Sequence, residues 1–127
     1  MILGRHTLIE LHGCSAAALS DLESIRTLMV AAVKKAGGTY VTDVFHHFTP
    51  LGVSGVIVIS ESHVTIHTWP EHGYAAADVF TCSGSFSHSA FSTMMRDGLK
   101  ALRVEAKTIE RGQLPFAGEP VPPSSVS

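Results

Sequence analysis

The chain has 127 residues, of which 45% are apolar and 16% charged, and its formal net charge is −2. This length predicts one domain, and the small net charge gives no reason to expect nucleic acid or an anionic membrane as a partner. No apolar run is long enough to span a membrane, and the N-terminus lacks the pattern of a signal peptide. The two cysteines have no close pairing motif, which favours a cytoplasmic protein with free thiols.

Hydrophobic periodicity predicts the elements in the order β-α-β-β-β-β-α-β. The first helix is expected to begin at a capping box, Ser20-Asp21-Leu22-Glu23, and to end at Gly37-Gly38. The second helix is predicted over residues 87–102, and the strands over 3–12, 39–48, 56–60, 63–69, 74–82 and 103–110.

This order predicts an α+β fold, a two-layer α/β sandwich in which two helices cover one face of a mostly antiparallel sheet. The other face would be bare, and the mean hydropathy of +0.25 is high for a small soluble monomer. We therefore expect that face to form a dimer interface with a second copy of the chain. The domain is expected to cover residues 1–114. The tail, residues 115–127, is rich in proline and serine and is expected to be disordered.

The most informative motif is a Glu-Ser-His sequence, Glu61-Ser62-His63, directly after the apolar strand. A serine at a strand start is usually an ordinary solvated residue. Its hydroxyl can also attack the preceding carbonyl, and β-elimination from the resulting ester would cut the chain and leave a pyruvoyl group. That reaction requires strain or an oxyanion donor at the Glu61 carbonyl, and a base for the α-proton of Ser62.

The predicted hairpin gives this motif two neighbours. If residues 70–73 form the loop, Cys82 faces Glu61, so a thiol lies beside the bond to be cut. A cysteine at a strand end is otherwise a small apolar filler. His67 lies roughly 17 Å from Ser62 along a straight strand. It cannot act on Ser62 of its own chain unless the strand folds sharply, whereas in a two-fold dimer it would approach Ser62 of the other subunit.

Over Gly4 to Gly112, and most closely from Phe45 to Cys82, the sequence resembles the prokaryotic S-adenosylmethionine decarboxylases. The resemblance implies that Ser62 becomes a pyruvoyl cofactor and that Glu61 becomes the C-terminus of a small chain. The products would be residues 1–61 and 62–127. It also implies a homodimer or higher homo-oligomer whose active sites are shared between subunits.

The resemblance assigns roles to five further positions. His67 and its partner Ser54 would assist self-processing, and Cys82 would return a proton to the substrate carbon after carbon dioxide leaves. Phe48 would stack on adenine, and Glu71 would hold the ribose hydroxyls. The substrate amine would form a Schiff base with the pyruvoyl group. The product would be decarboxylated S-adenosylmethionine, the aminopropyl donor for spermidine.

Several of these residues could instead have ordinary structural roles. Phe48 could belong to the core, Glu71 could be a solvated turn residue, and Ser54 could serve only in a turn. The loop Cys82-Ser83-Gly84 departs from the family pattern, which keeps open an ornithine or arginine decarboxylase of the same superfamily.

A different class of protein, a non-enzymatic module that binds metal or another ligand, would use the many histidines. Its ligands would be histidines of the central region, His63, His67 and His72 with His46 and His47. His63 and His67 lie about 13 Å apart along a strand, and no zinc motif is present. We therefore expect no metal site.

Overall fold

In the part of the chain that the structure describes, six strands form a single antiparallel sheet in the order β2-β3-β4-β5-β1-β6. The structure is a computed structural model that describes residues 1–82 and 84–114. The strands are β1 (Gly4–His12), β2 (Tyr40–His47), β3 (Val53–Ile59), β4 (Ser62–Trp69), β5 (Tyr74–Thr81) and β6 (Arg103–Arg111). The predicted antiparallel sheet with helices on one face is confirmed.

The helices are α1 (Ala16–Ser20), α2 (Leu22–Lys35) and α3 (His88–Leu99), and a 3-10 turn spans Pro70–His72. Helix α2 contacts β2 and β3, whereas α3 contacts β1 and β6. Both long helices bury residues at helical spacing, and in α3 these are Phe91, Met95 and Leu99. The core therefore lies between the helices and one face of the sheet. Across the described part of the chain, none of the helices has the length and apolar character needed to cross a membrane.

The start of α2 differs from the prediction. A short helix, α1, was not predicted, and Ser20 is its last residue, with its hydroxyl donating to the Ala16 carbonyl at 2.8 Å. The cap of α2 is Asp21, whose carboxylate accepts the Ser24 backbone N–H at 3.1 Å. A carboxylate accepts this bond with a full negative charge, which also suits a helix N-terminus. The capping box on Ser20 was therefore wrong by one residue.

Strand β3 begins at Val53, three residues before its predicted start. Gly55 lies inside the strand opposite Phe45. An added Cβ at this position would lie 2.1 Å from the Phe45 ring, so the glycine makes room for the aromatic side chain. Helix α3 ends at Leu99, earlier than predicted, because Lys100 adopts a left-handed conformation with φ 57. The prediction for residues 115–127 lies outside the described residues.

The face of the sheet opposite the helices carries both apolar and polar side chains. One row of paired residues crosses five strands on this face: Leu8, Asp78, Thr65, Val56 and Val44. Val44 is 67% exposed and Leu8 is 40% exposed. We call this surface the bare face. Its exposed apolar side chains agree with a predicted dimer interface, which stays a prediction.

Candidate active site

The Glu61-Ser62 bond lies in the tight connection from β3 to β4. Ser62 is the first residue of β4 and has a φ of 154°, which is unusual for a residue other than glycine. Such a conformation costs on the order of 1–3 kcal/mol and persists only where the surrounding structure imposes it. The strain therefore sits at the bond that the sequence predicts to be cut.

The carbonyl of Glu61 receives two hydrogen bonds from Cys82. The Cys82 backbone N–H donates to the carbonyl oxygen at 3.0 Å, and the thiol donates to the same oxygen at 3.3 Å. This confirms the predicted hairpin register, in which Trp69 faces Tyr74 and Cys82 faces Glu61. Two donors on one carbonyl oxygen are placed to stabilise the negative charge that develops there when a hydroxyl attacks.

The side chain of Glu61 also helps to hold the connection between β3 and β4. Its carboxylate accepts the Thr39 backbone N–H at 3.0 Å and the Thr39 hydroxyl at 3.3 Å. The backbone hydrogen bond from Thr39 is the main reason that the pKa of Glu61 lies below its usual value. The Ser60 N–H also donates to the Thr39 carbonyl at 2.9 Å. The position of the Glu61 carbonyl is thus fixed by the segment before β2 as well as by the end of β5.

The other predicted residues lie at the far end of β4. His67 and Ser54 are opposite each other in the β3–β4 ladder, and the Ser54 hydroxyl lies 2.8 Å from His67 Nδ1. Phe48 follows β2, is 47% exposed, and meets the His46 ring edge-on at 4.6 Å between centroids. Glu71 lies in the 3-10 turn after β4 and is exposed.

The predicted site residues therefore form two groups at opposite ends of β4. The proximal group consists of Glu61, Ser62 and Cys82, and the distal group consists of Phe48, Ser54, His67 and Glu71. Strand β4 pairs with both neighbours in unbroken register, so it does not fold back. The structure does not bring the two groups together within one chain, since Ser62 and His67 are roughly 17 Å apart along the strand.

Sequence reasoning missed a histidine near the proximal group. His88 begins α3, and its two ring nitrogens lie 2.7 Å from the Thr7 hydroxyl and 2.8 Å from the Thr81 hydroxyl. It lines a cavity of about 140 Å³ that is also lined by Cys82 and Arg5. Burial lowers the pKa of His88, and the charges of Arg5 and His6 lower it further. The position of His88 depends on how α3 packs on the sheet. The serine-rich loop in the sequence contains no motif that predicts this position.

A second histidine cluster lies on the bare face. His6 Nε2 is hydrogen-bonded to the Asp78 carboxylate, and His63 Nε2 lies 3.6 Å from the same oxygen. Burial alone would raise the pKa of Asp78, but hydrogen bonds from Thr65 and His6 and the charges of both histidines hold it below its usual value. Within residues 1–82 and 84–114, these three are the His, Cys, Asp or Glu side chains close enough together to hold an ion. Of the five histidines weighed for a metal module, this cluster includes His63 alone.

Fold and site together define a class of protein. A strained serine whose preceding carbonyl is held by two donors, in a two-layer α+β sandwich, is the arrangement expected of a self-processing proenzyme. The family model described as S-adenosylmethionine decarboxylase matches residues 5–112. The chain belongs to the S-adenosylmethionine decarboxylase family.

Curated relatives match nearly the whole chain. Proteins named S-adenosylmethionine decarboxylase proenzyme are 49% identical over 110 residues in Moorella thermoacetica and 46% identical over 118 residues in Thermotoga maritima. These matches cover 87% and 93% of this chain and 88% and 91% of the relatives. The crystal structure of the adenosylmethionine decarboxylase from Aquifex aeolicus superposes with a TM-score of 0.83 at 35% identity, covering 94% of this chain and 98% of that one.

Proposed function

We propose that this chain is a self-processing, pyruvoyl-dependent decarboxylase of S-adenosylmethionine, with each active site assembled from two subunits. The observation that carries the proposal is the strained Ser62 next to a Glu61 carbonyl held by both Cys82 donors. The names of the relatives supply the substrate and the proenzyme character. The product is decarboxylated S-adenosylmethionine, an aminopropyl donor for spermidine synthesis.

The residues around position 62 fit a pyruvoyl group made from Ser62. The β4–β5 ladder places position 62 opposite Thr81, next to Cys82, and a cavity of about 140 Å³ adjoins these residues. A bound pyruvoyl ketone accepts the electrons released when carbon dioxide leaves the substrate. Cys82 is exposed, and its thiol is within 3.3 Å of the Glu61 carbonyl oxygen. This supports a role for Cys82 as the group that delivers a proton to a substrate carbon held at that position.

The bare face supports a shared site. A two-fold axis through this face would turn one β4 against the other, so that the distal group of one subunit approaches the proximal group of its partner. His67, oriented by Ser54, would then act on the partner's processing step. Exposed apolar side chains on the bare face, among them Val44 at 67% and Val58 at 41%, supply the surface to be buried.

The distal group also supports a substrate that contains a nucleoside. Phe48 offers an exposed aromatic ring and Glu71 an exposed carboxylate, and both lie at the end of the sheet that carries His67. A flat ring suits a purine, and a carboxylate can accept hydrogen bonds from two neighbouring ribose hydroxyls. An ornithine or arginine substrate would use neither feature.

Intact mass measurement of the purified protein tests the proposal first. We expect two fragments that correspond to residues 1–61 and 62–127, the second with a blocked N-terminus. Carbon dioxide release should then follow with S-adenosylmethionine and not with ornithine or arginine. A protein that stays whole after long incubation would contradict the processing step, whereas release from a basic amino acid alone would contradict only the substrate.

A further inference from the structure

We infer that His6, His63 and Asp78, on the bare face, form a binding site for one divalent transition-metal ion, such as zinc. The three residues come from β1, β4 and β5, and they lie beside the proximal group because His63 directly follows Ser62. Sequence reasoning predicted no metal site, because it weighed the histidines of the central region and neither His6 nor Asp78. Binding of the ion does not depend on the proposed function.

The ligand atoms are close to the spacing that a bound ion requires. One ligand atom from each of the three residues lies within 4.8 Å of the other two. His63 Nε2 is 3.6 Å from the Asp78 carboxylate. Two atoms that bind one zinc ion at about 2.0–2.2 Å are roughly 3.3–3.6 Å apart in a tetrahedral site. Side-chain shifts of about 1 Å therefore close the site around an ion.

The donor set suits a transition metal. Imidazole nitrogens bind zinc and neighbouring transition metals, whereas magnesium and calcium prefer oxygen ligands alone. Asp78 supplies a negative charge, and the bound ion would replace the hydrogen bond that joins its carboxylate to His6 Nε2. Two histidines and one carboxylate would leave a fourth position for water.

Neighbouring side chains orient the ligands. The Thr65 hydroxyl donates to the other carboxylate oxygen of Asp78, as outer hydrogen bonds commonly do in metal sites. Phe80 lies between the two histidines in the strand row, and its ring centroid is 5.5 Å from that of His6 and 5.9 Å from that of His63. The side chains of His6, Asp78 and His63 are 19%, 18% and 35% exposed, so an ion can reach them without unfolding.

One contact opposes the ion. A side-chain nitrogen of Arg111 lies 3.4 Å from His6 Nδ1, and its guanidinium carbon is 5.3 Å from the centre of the Phe80 ring. The positive charge of Arg111 repels a cation bound at Nε2 of the same histidine. Arg111 is exposed at the end of β6, so its side chain can turn toward solvent. Removal of this charge should therefore strengthen binding.

The ion would also join the two products of the proposed cut, a role that rests on the proposed function. His6 belongs to residues 1–61, whereas His63 and Asp78 belong to residues 62–127. His63 is next to the new chain end. A bound ion would therefore hold the end that carries the pyruvoyl group against β1 and β5.

Titration of tag-free protein with zinc tests the site directly. The wild-type chain is freed of metal with a chelator, dialysed and titrated by isothermal calorimetry, and cobalt serves as a coloured probe of the ligands. We expect one ion per chain with a dissociation constant below about 10 μM. His63→Gln and Asp78→Asn each remove a ligand and should weaken binding by at least about tenfold. His47→Gln, at an exposed histidine of β2 outside the cluster, is the matched control and should bind as the wild type does.

Two variants that keep all three ligands separate a built site from scattered surface binding. Thr65→Val removes the hydrogen bond to the Asp78 carboxylate and should weaken zinc binding by about tenfold. Arg111→Gln removes the opposing charge and should strengthen binding several-fold. Circular dichroism shows whether each variant is folded. Equal affinity of the wild-type chain and all folded variants would mean that surface histidines hold the ion, and would overturn the site.

The fragment-joining role has a separate readout. Separation of the two fragments of cut protein in urea is followed by size-exclusion chromatography. At a zinc concentration about 100 times the dissociation constant, we expect the equilibrium constant for separation to fall by about tenfold to a hundredfold.

The outcomes distinguish three failures. No zinc binding by cut wild type or by uncut Ser62→Ala overturns the site. Zinc binding without any effect on fragment separation overturns the joining role alone. A wild-type chain that never cuts contradicts the proposed function, while zinc binding to that whole chain still supports the site.

Discussion

The two ends of β4 hold their residues in different ways. In the proximal group, backbone and side chain are both constrained: Ser62 has a φ of 154°, and the Glu61 carbonyl accepts two hydrogen bonds. In the distal group, the side chains of Phe48, His67 and Glu71 are exposed and Ser54 is half-buried, and the Ser54–His67 hydrogen bond at 2.8 Å is the main internal contact. This difference agrees with the proposed division of roles, in which the bond is cut at one end and the other end contacts a partner or a ligand. The straight strand keeps the two groups apart within a chain.

The largest expected effect concerns the proximal group. Ser62→Ala removes the attacking hydroxyl, so we expect cleavage to be abolished and the chain to run as one band under denaturing electrophoresis. Ser62→Gly should also stay whole but should unfold at higher denaturant than Ser62→Ala, because glycine adopts a φ of 154° without strain. The expected difference in the free energy of unfolding is about 1–3 kcal/mol. Equal stability of the two variants would show that position 62 carries no strain.

The next prediction tests whether the two ends cooperate across subunits. Alone, neither Ser62→Ala nor His67→Ala should process normally. Co-expressed with different affinity tags, the two variants form a mixed dimer in which one site has both an intact Ser62 and an intact His67. We expect the His67→Ala chain in that dimer to be cut, as measured by mass spectrometry of the doubly purified protein. No cut in verified mixed dimers would mean that the two groups act within one chain.

A charge on the bare face should separate the subunits. Val44 is 67% exposed in the single chain, so Val44→Glu should leave the fold intact. In a two-fold dimer, each subunit would bring one unpaired negative charge into the interface. We expect the dimer dissociation constant to rise about tenfold to a hundredfold, measured by analytical ultracentrifugation. Leu102→Glu, at a position 88% exposed after α3, is the control and should remain dimeric. Unchanged association of Val44→Glu would place the interface elsewhere.

A smaller effect is expected at the ligand-facing side chains of the distal group. A carboxylate bonded to ribose hydroxyls contributes about 1.5–3 kcal/mol per hydrogen bond. Glu71→Gln should therefore lower kcat/KM for S-adenosylmethionine by at least about tenfold while leaving the rate of self-cleavage unchanged. Phe48→Ala should act similarly through lost stacking. Steady-state kinetics on fully cut enzyme measures the effect, and turnover indifferent to Glu71→Gln would contradict the nucleoside assignment.

The smallest effect is a change of stability with pH. The folded-state pKa of His88 lies below the ordinary value of 6.5, so the unfolded chain takes up a proton first as the pH falls. The stabilisation from the neutral ring is present above pH 6.5 and is lost as the pH falls toward the folded-state pKa. The free energy of unfolding, measured with urea between pH 7.5 and pH 5, should fall more steeply for uncut Ser62→Ala than for the double variant Ser62→Ala with His88→Gln. Parallel declines would assign the effect to other groups.

Local rules predicted one feature of the proximal group, the strand register that pairs Cys82 with Glu61. The pairing of Cys82 with Glu61 followed from the length of the hairpin loop, because a register fixed at Trp69 and Tyr74 propagates along the whole ladder. The conformation of Ser62 could not be predicted, since the surrounding strands impose it. His88 was missed for the same reason: its hydrogen bonds to Thr7 of β1 and Thr81 of β5 depend on how α3 packs on the sheet. Helix α1 was missed because five residues give too short a period to detect.

The strand order has a consequence for the proposed cut between Glu61 and Ser62. Strands β1, β2 and β3 would belong to one product and β4, β5 and β6 to the other, yet β1 lies between β5 and β6. The two fragments are thus interleaved, and three strand boundaries, β3–β4, β5–β1 and β1–β6, would join them without a covalent link. The cut protein would keep its architecture under native conditions. Once denatured, it would have to reassemble from separate chains, so recovery would depend on concentration.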